Sequence, residues 1–107
     1  MATPSKLAHS VYFSLRDRSP EARQGLVAAC KKYLTGHPGT LFFAAGPLAE
    51  DIRWSVSDCD FDVALHVVFE NRAAHDAYQD SPQHQQFLEE TEGNWTAIRV
   101  FDAYVDA

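Results

Sequence analysis

Apolar and polar residues alternate from Leu7 to Arg16. Leu7, His9, Val11, Phe13 and Leu15 fall on one side, and Ala8, Ser10, Tyr12, Ser14 and Arg16 on the other. A period of two predicts a strand with one strongly apolar face. The pattern then changes period. Ala22, Leu26, Ala29, Cys30 and Tyr33 recur at helical spacing behind Ser19-Pro20-Glu21, which combines an N-cap serine, a proline at the first helical position and an acid in the first turn. Lys31 and Lys32 suit the far end of that helix, and Gly36 with Pro38-Gly39 stops it. A short strand is expected over Thr40–Ala45, broken at Gly46-Pro47, with a polar connection over 48–60 behind it. Phe61–Glu70 alternates again and predicts a third strand. Asn71 caps a short helix bearing Ala73, Ala74, Ala77 and Tyr78, and Ser81-Pro82 restarts a second one with His84, Phe87 and Leu88 facing inward. Trp95–Val105 is the last strand, with Ala97, Arg99 and Phe101 alternating against Ile98 and Val100.

The order is β-α-β-β-α-β, with the second helix in two pieces. It predicts a ferredoxin-like α+β sandwich: an antiparallel four-stranded sheet with its helices on one face. Residues 1–107 read as one domain with its core over 7–105, since 107 residues with 46% hydrophobic and 12% aromatic content suit a single globular unit.

Several strands are apolar on both faces. The weaker face of the third still carries Ala64 and Val68, and in the last strand Phe101 and Ala97 oppose Ile98 and Val100. Helices cover one face only. The other would be a large apolar patch in water, so a homodimer is expected, two sheets closing face to face into a barrel.

Charge narrows the partners. Nine Lys and Arg stand against fifteen Asp and Glu, for a net charge of −6, so the basic face of a nucleic-acid binder is lacking. The imbalance lies in the second half. Residues 1–53 hold seven basic and four acidic side chains, and residues 54–107 hold two and eleven. This reads as a solvated acidic surface or as complementary halves meeting across a subunit boundary. No apolar run approaches the roughly 20 residues of a membrane span. Residues 1–6 are not followed by the apolar stretch of a secretory signal, so a cytoplasmic location is the default expectation. Cys30 reads as a small core residue. Cys59, between Asp58 and Asp60, reads as an exposed turn residue whose thiol those acids keep protonated. Two cysteines give neither a disulfide framework nor metal spacing, and no histidine pair has the four-residue helical spacing of many metal sites, so no metal is expected.

Three stretches resemble the stress-responsive dimeric α/β barrel (Dabb) domains over roughly residues 7–105. They are Leu7-Ala8-His9-Ser10-Val11-Tyr12-Phe13, the segment from Val67-Val68-Phe69-Glu70 through Tyr78 to Ser81-Pro82-Gln83-His84 and Phe87, and Val100-Phe101-Asp102. The second is the most specific, because helix propensity alone does not explain tyrosine, proline and histidine at that spacing. The resemblance implies a dimeric barrel. It also implies, by likeness to the plant polyketide cyclase of this family that makes olivetolic acid, acid–base chemistry without metal or organic cofactor. By the motif, the catalytic pair of that cyclase looks like Tyr78 and His84, and its first-strand histidine looks like His9. A further pocket histidine of the cyclase falls at Val63, where this chain departs from the pattern.

His84 then stands in the first turn of its helix, where the dipole disfavours a positive imidazole. A neutral His84 could act as a general base beside a carbonyl, with Tyr78 donating a hydrogen bond to the developing enolate. Each has a plainer reading: His84 completes the helix start beside Phe87, Tyr78 packs in the core, and His9 is a hydrogen-bonded core histidine or a pocket wall. His66 points to the opposite sheet face and toward a partner, while His37 and His75 read as turn and surface residues without a role. The leading expectation is a Dabb homodimer of unassigned activity that binds a small apolar ligand at His9, Tyr78 and His84. The alternatives are a cofactor-free cyclase or lyase working through His84 and Tyr78, and a cofactor-independent monooxygenase.

Overall fold

A computed structural model describes residues 4–107; the expectations about the chain start that involve Met1, Ala2 and Thr3 lie outside it. The elements run β1 (Lys6–Leu15), α1 (Pro20–Tyr33), β2 (Thr40–Pro47), β3 (Val63–Phe69), α2 (Arg72–Gln79), α3 (Pro82–Thr91), a 3-10 turn over Glu92–Asn94, and β4 (Trp95–Val105). The sheet order is β2-β3-β1-β4, and every neighbouring pair is antiparallel. This is the ferredoxin-like α+β fold. Among the described residues no helix is long and apolar enough to cross a membrane.

The helix starts follow the cap chemistry. Ser19 Oγ accepts from the Ala22 N–H, Asn71 Oδ1 from that of Ala74, and Ser81 Oγ from that of His84. Side chains decide which way the strands face. Leu7, His9, Val11, Phe13 and Leu15 are buried against the helices, as are Val63, Leu65, Val67 and Phe69 of β3. Leu26, Val27, Cys30 and Tyr33 of α1, Tyr78 of α2 and Phe87 of α3 complete the core. Burial pushes the Cys30 thiol up to about 12, so it is an inert core atom.

β1 and the end of β3 shift by one residue from expectation, and two boundaries shift by two. β2 continues through Gly46 to Pro47, which pairs with Val63. β2 is an edge strand, so the missing N–H of Pro47 costs no ladder bond. β3 begins at Val63 rather than Phe61. The Asp62 side chain, 1% exposed, instead accepts from the Leu15 N–H, Arg18 Nε and Arg23 Nε and Nη2. Burial alone would raise that carboxyl, but these donors outweigh it and hold the group below the usual carboxylate range. Arg23 also pairs with Glu50, tying the connection after β2 to α1. Charges from the two halves of the sequence thus meet within one chain.

The molecule measures 44 × 37 × 18 Å. The short dimension is that of one sheet plus one helical layer. The other sheet face is bare. Tyr12 meets Phe61, Phe101 and His66 there, with ring centroids 4.9, 5.8 and 6.0 Å away. Phe101 is 55% exposed and Phe42 56%. The connection after β2 is less polar in effect than in composition, because it holds Ile52, Trp54 and Val56 out in solvent, Trp54 at 76% exposure.

Candidate functional site

Between the sheet and α2/α3 lies a cavity of about 370 Å³. His9 from β1, Tyr78 from α2 and His84 from α3 all line it, with Phe13, Leu65, Phe87 and Trp95 among its apolar walls. The residues singled out in the sequence therefore converge on one space. A second hollow, about 460 Å³, lies on the bare sheet face among Tyr12, Asp58, Phe61, Arg99 and Phe101. It holds none of the candidate residues.

The α2–α3 junction positions the pair. Ser81 ends α2 by donating from Oγ to the Tyr78 carbonyl, and the same Oγ caps α3 by accepting from the His84 N–H. One serine thus links both residues. Their rings meet edge to face with centroids 5.1 Å apart. Tyr78, 1% exposed, also packs on Phe69 at 4.9 Å and His37 at 5.2 Å. Burial, with the Cys30 sulfur nearby, raises the Tyr78 phenol, so it stays protonated and is a donor at neutral pH.

His84 is pushed below its ordinary value, first by burial and then by the neighbouring His9, His37 and His75. The neutral imidazole expected from its helix position is thus reinforced by desolvation. No described residue hydrogen-bonds its buried Nδ1. Trp95 Nε1 and His75 Nε2 are likewise buried without partners, and both side chains line the same cavity. Polar atoms left unpaired around one cavity are positions that a bound water or a polar ligand group satisfies.

His9 is both a hydrogen-bonded core histidine and a pocket wall. Its Nδ1 lies 2.6 Å from Asp102 Oδ1, and its Nε2 makes a long 3.5 Å contact with Gln79 Nε2. The carboxylate can only accept, which assigns the proton to Nδ1 and leaves Nε2 as the acceptor. Burial lowers the His9 imidazole, and the Asp102 bond opposes that only in part.

Two residues enter that the sequence reading passed over. Asp102 sits opposite His9 in the β1–β4 register, on the face of Ile98 and Val100 that alternation had already grouped. His75 is not a surface residue. It sits three positions before Tyr78 on one face of α2, and its ring meets His9 edge-on at 5.1 Å. His37 is also drawn inward, its Nε2–H donating to the Tyr33 carbonyl 2.7 Å away while the ring packs on Tyr78. His66 stands on the bare face as expected, 3.2 Å from Ser10 Oγ. Val63 is fully buried, so no third-strand imidazole enters the cavity there.

The family model for the stress responsive A/B barrel domain matches residues 7–105. This chain belongs to the Dabb family. No curated protein matches it in sequence. Solved structures show the same fold. A dimeric ferredoxin-like protein of unknown function from Thermobifida fusca YX is 17% identical, with a TM-score of 0.77 over 98% of this chain and 95% of that one. A Dabb family protein from Mesorhizobium loti is 20% identical, with a TM-score of 0.76 over 96% and 99%. The hydroxynitrile lyase of Passiflora edulis is 19% identical, with a TM-score of 0.76 over 97% and 96%. At these identities the likeness is one of fold.

Proposed function

We infer that this Dabb chain works as a homodimer whose cavity takes a small, largely apolar ligand bearing a carbonyl or similar acceptor. One observation carries the reading. Tyr78, a buried phenol held protonated, and His84, a half-buried imidazole pushed toward its neutral form, meet on a 370 Å³ cavity. Ligand pockets run from about 300 to 1,000 Å³, so this one suits a small molecule.

The bare sheet face supports the homodimer. An aromatic patch of Tyr12, Phe61 and Phe101, with Phe42 also exposed on edge strand β2, is a surface that monomers tend to avoid. A second copy of the same face covers it. The same reading takes residues 1–107 as one cytoplasmic domain.

A second reading follows from the Tyr78–His84 pair. His84 is the group to remove a proton next to the carbonyl, and Tyr78 the donor to the enolate oxygen that results. The proton moves to His84, the charge to the oxygen, and the two side chains suffice. The name of the Passiflora neighbour makes lyase chemistry a first reaction class to assay.

Native mass spectrometry of the purified dimer, followed by titration with straight-chain aldehydes and aryl ketones, tests the binding reading. A single saturable site per chain is expected, and absence of binding to any of them sinks it. His84→Ala should then abolish any turnover while leaving the dimer assembled. Oxygen uptake with a quinol-type substrate would instead mark a monooxygenase.

A further inference from the structure

His9, His75 and Asp102 come from three separate elements and meet at one point. Asp102 is the cross-strand partner of His9, and His75 reaches down from α2. Each offers a ligand atom, and the three atoms lie within 4.8 Å of one another. Two imidazoles and a carboxylate are a donor set for borderline divalent ions.

His75 shows how such a set is prepared. Its Nδ1 lies 2.9 Å from Asp76 Oδ1, so Nδ1–H donates to the carboxylate and the lone pair is on Nε2. That Nε2 is buried and has no hydrogen-bond partner. An imidazole fixed through one nitrogen by a carboxylate, with the other nitrogen free, is the arrangement that supports a metal-ligating histidine. A hollow of about 240 Å³ beside Leu7, Arg72 and Tyr104 reaches His75 and Asp102 and gives an ion its way in. The Arg72 guanidinium on that path is matched by Asp76, 2.9 Å away.

We propose that His9, His75 and Asp102 bind one divalent ion of the zinc class, with Asp76 as the positioning residue for His75. Donors about 2.0–2.2 Å from a tetrahedral ion stand about 3.3–3.6 Å apart. The 2.6 Å His9–Asp102 contact therefore opens, His9 Nδ1 gives its proton to solvent as the ion takes its lone pair, and the widest gap closes. Asp102, 43% exposed, is free to swing by that much. Three protein donors leave a fourth position for water. His9, His75 and Asp102 also line the 370 Å³ cavity, so the ion sits in the wall of the space assigned to the organic ligand, but the metal titration needs no organic ligand and so tests the site separately from the binding reading. Sequence spacing missed it because no two of the three residues share an element.

The test uses the full chain, stripped with a chelator and dialysed. Co²⁺ is titrated with visible absorption as the readout, and Zn²⁺ by calorimetry. One ion per chain is expected, with the strong Co²⁺ bands of a site of low coordination number. His75→Ala should weaken binding at least 100-fold and Asp76→Asn about tenfold. His37→Ala and His66→Ala should leave it unchanged. Circular dichroism checks folding; where His75→Ala fails to fold, the exposed Asp76→Asn decides. Absence of stoichiometric binding overturns the proposal. So does a loss in His37→Ala or His66→Ala equal to that in His75→Ala, which would mean scattered histidine binding. An Asp76→Asn affinity equal to that of the unmodified chain removes Asp76 from the assignment.

Discussion

Across β1 and β4, His9 Nδ1 and Asp102 Oδ1 stand 2.6 Å apart at directly paired positions. The bond joins a residue 4% exposed to one 43% exposed. It therefore anchors a buried imidazole from the rim of the cavity. Asp102→Ala leaves a buried N–H without a partner and should cost about 1–2 kcal/mol in urea denaturation. It should also free the His9 tautomer, which nitrogen-detected NMR of the ring would show.

Acid should weaken the fold before the carboxylates titrate. His9 and His84 are both held below the ordinary 6.5, chiefly by burial. Below 6.5 the unfolded chain binds protons that the native chain refuses, so stability rises with pH through this window and is lost on acidification. The melting temperature should fall between about pH 7.5 and pH 5.5. In His84→Ala that fall should be shallower, whatever the absolute stability of the variant. An equal slope in both proteins contradicts the assignment.

Gly39 sets where α2 lies. Its φ is +82°, and a Cβ there would come within 2.5 Å of Ala74 Cβ. Gly36 has a φ of +75° but open space around it. Gly36→Ala should therefore cost about 1 kcal/mol of backbone strain alone. Gly39→Ala should cost about 2–3 kcal/mol, because α2 must also shift. That shift moves Tyr78 and His75, so Gly39→Ala should lower ligand affinity and Gly36→Ala should not. Calorimetric melts and ligand titrations of the two variants separate the effects.

The bare face makes its own prediction. Phe101→Glu places a charge in the aromatic patch, against Tyr12, where the side chain is already 55% exposed in one chain. Each chain should fold, yet sedimentation should find a mass near 12.0 kDa rather than twice that. A Phe101→Glu protein that still sediments as a dimer would place the interface elsewhere.

The strands and caps were legible because local rules govern them. Alternation placed β1 and β4 within a residue, and the serine–proline signature marked two helix starts whose Oγ atoms do bind the Ala22 and His84 amides. β2 was cut short because Gly46-Pro47 breaks strands in general, though not at a sheet edge. Phe61 was lost to β3 because the neighbouring Asp62 serves two arginines, a contact between distant segments. Of the site, His9, Tyr78 and His84 came from a motif. Asp102 and His75 required cross-strand register and the rotation of a short helix. Alternation with Val100 and the three-residue step to Tyr78 were the signals available for them.

The central claim is that the His9–Tyr78–His84 cavity takes a small carbonyl ligand. Trp95 lines that cavity and Trp54, the other tryptophan, is exposed and is not among its lining residues. A Trp54→Phe background thus leaves Trp95 emission as a reporter of occupancy. Titration of this protein with a straight-chain aldehyde should give a saturable change, weakened about tenfold by Tyr78→Phe through loss of one hydrogen bond. No saturable change, or equal affinity in Trp54→Phe alone and with Tyr78→Phe added, would contradict the account.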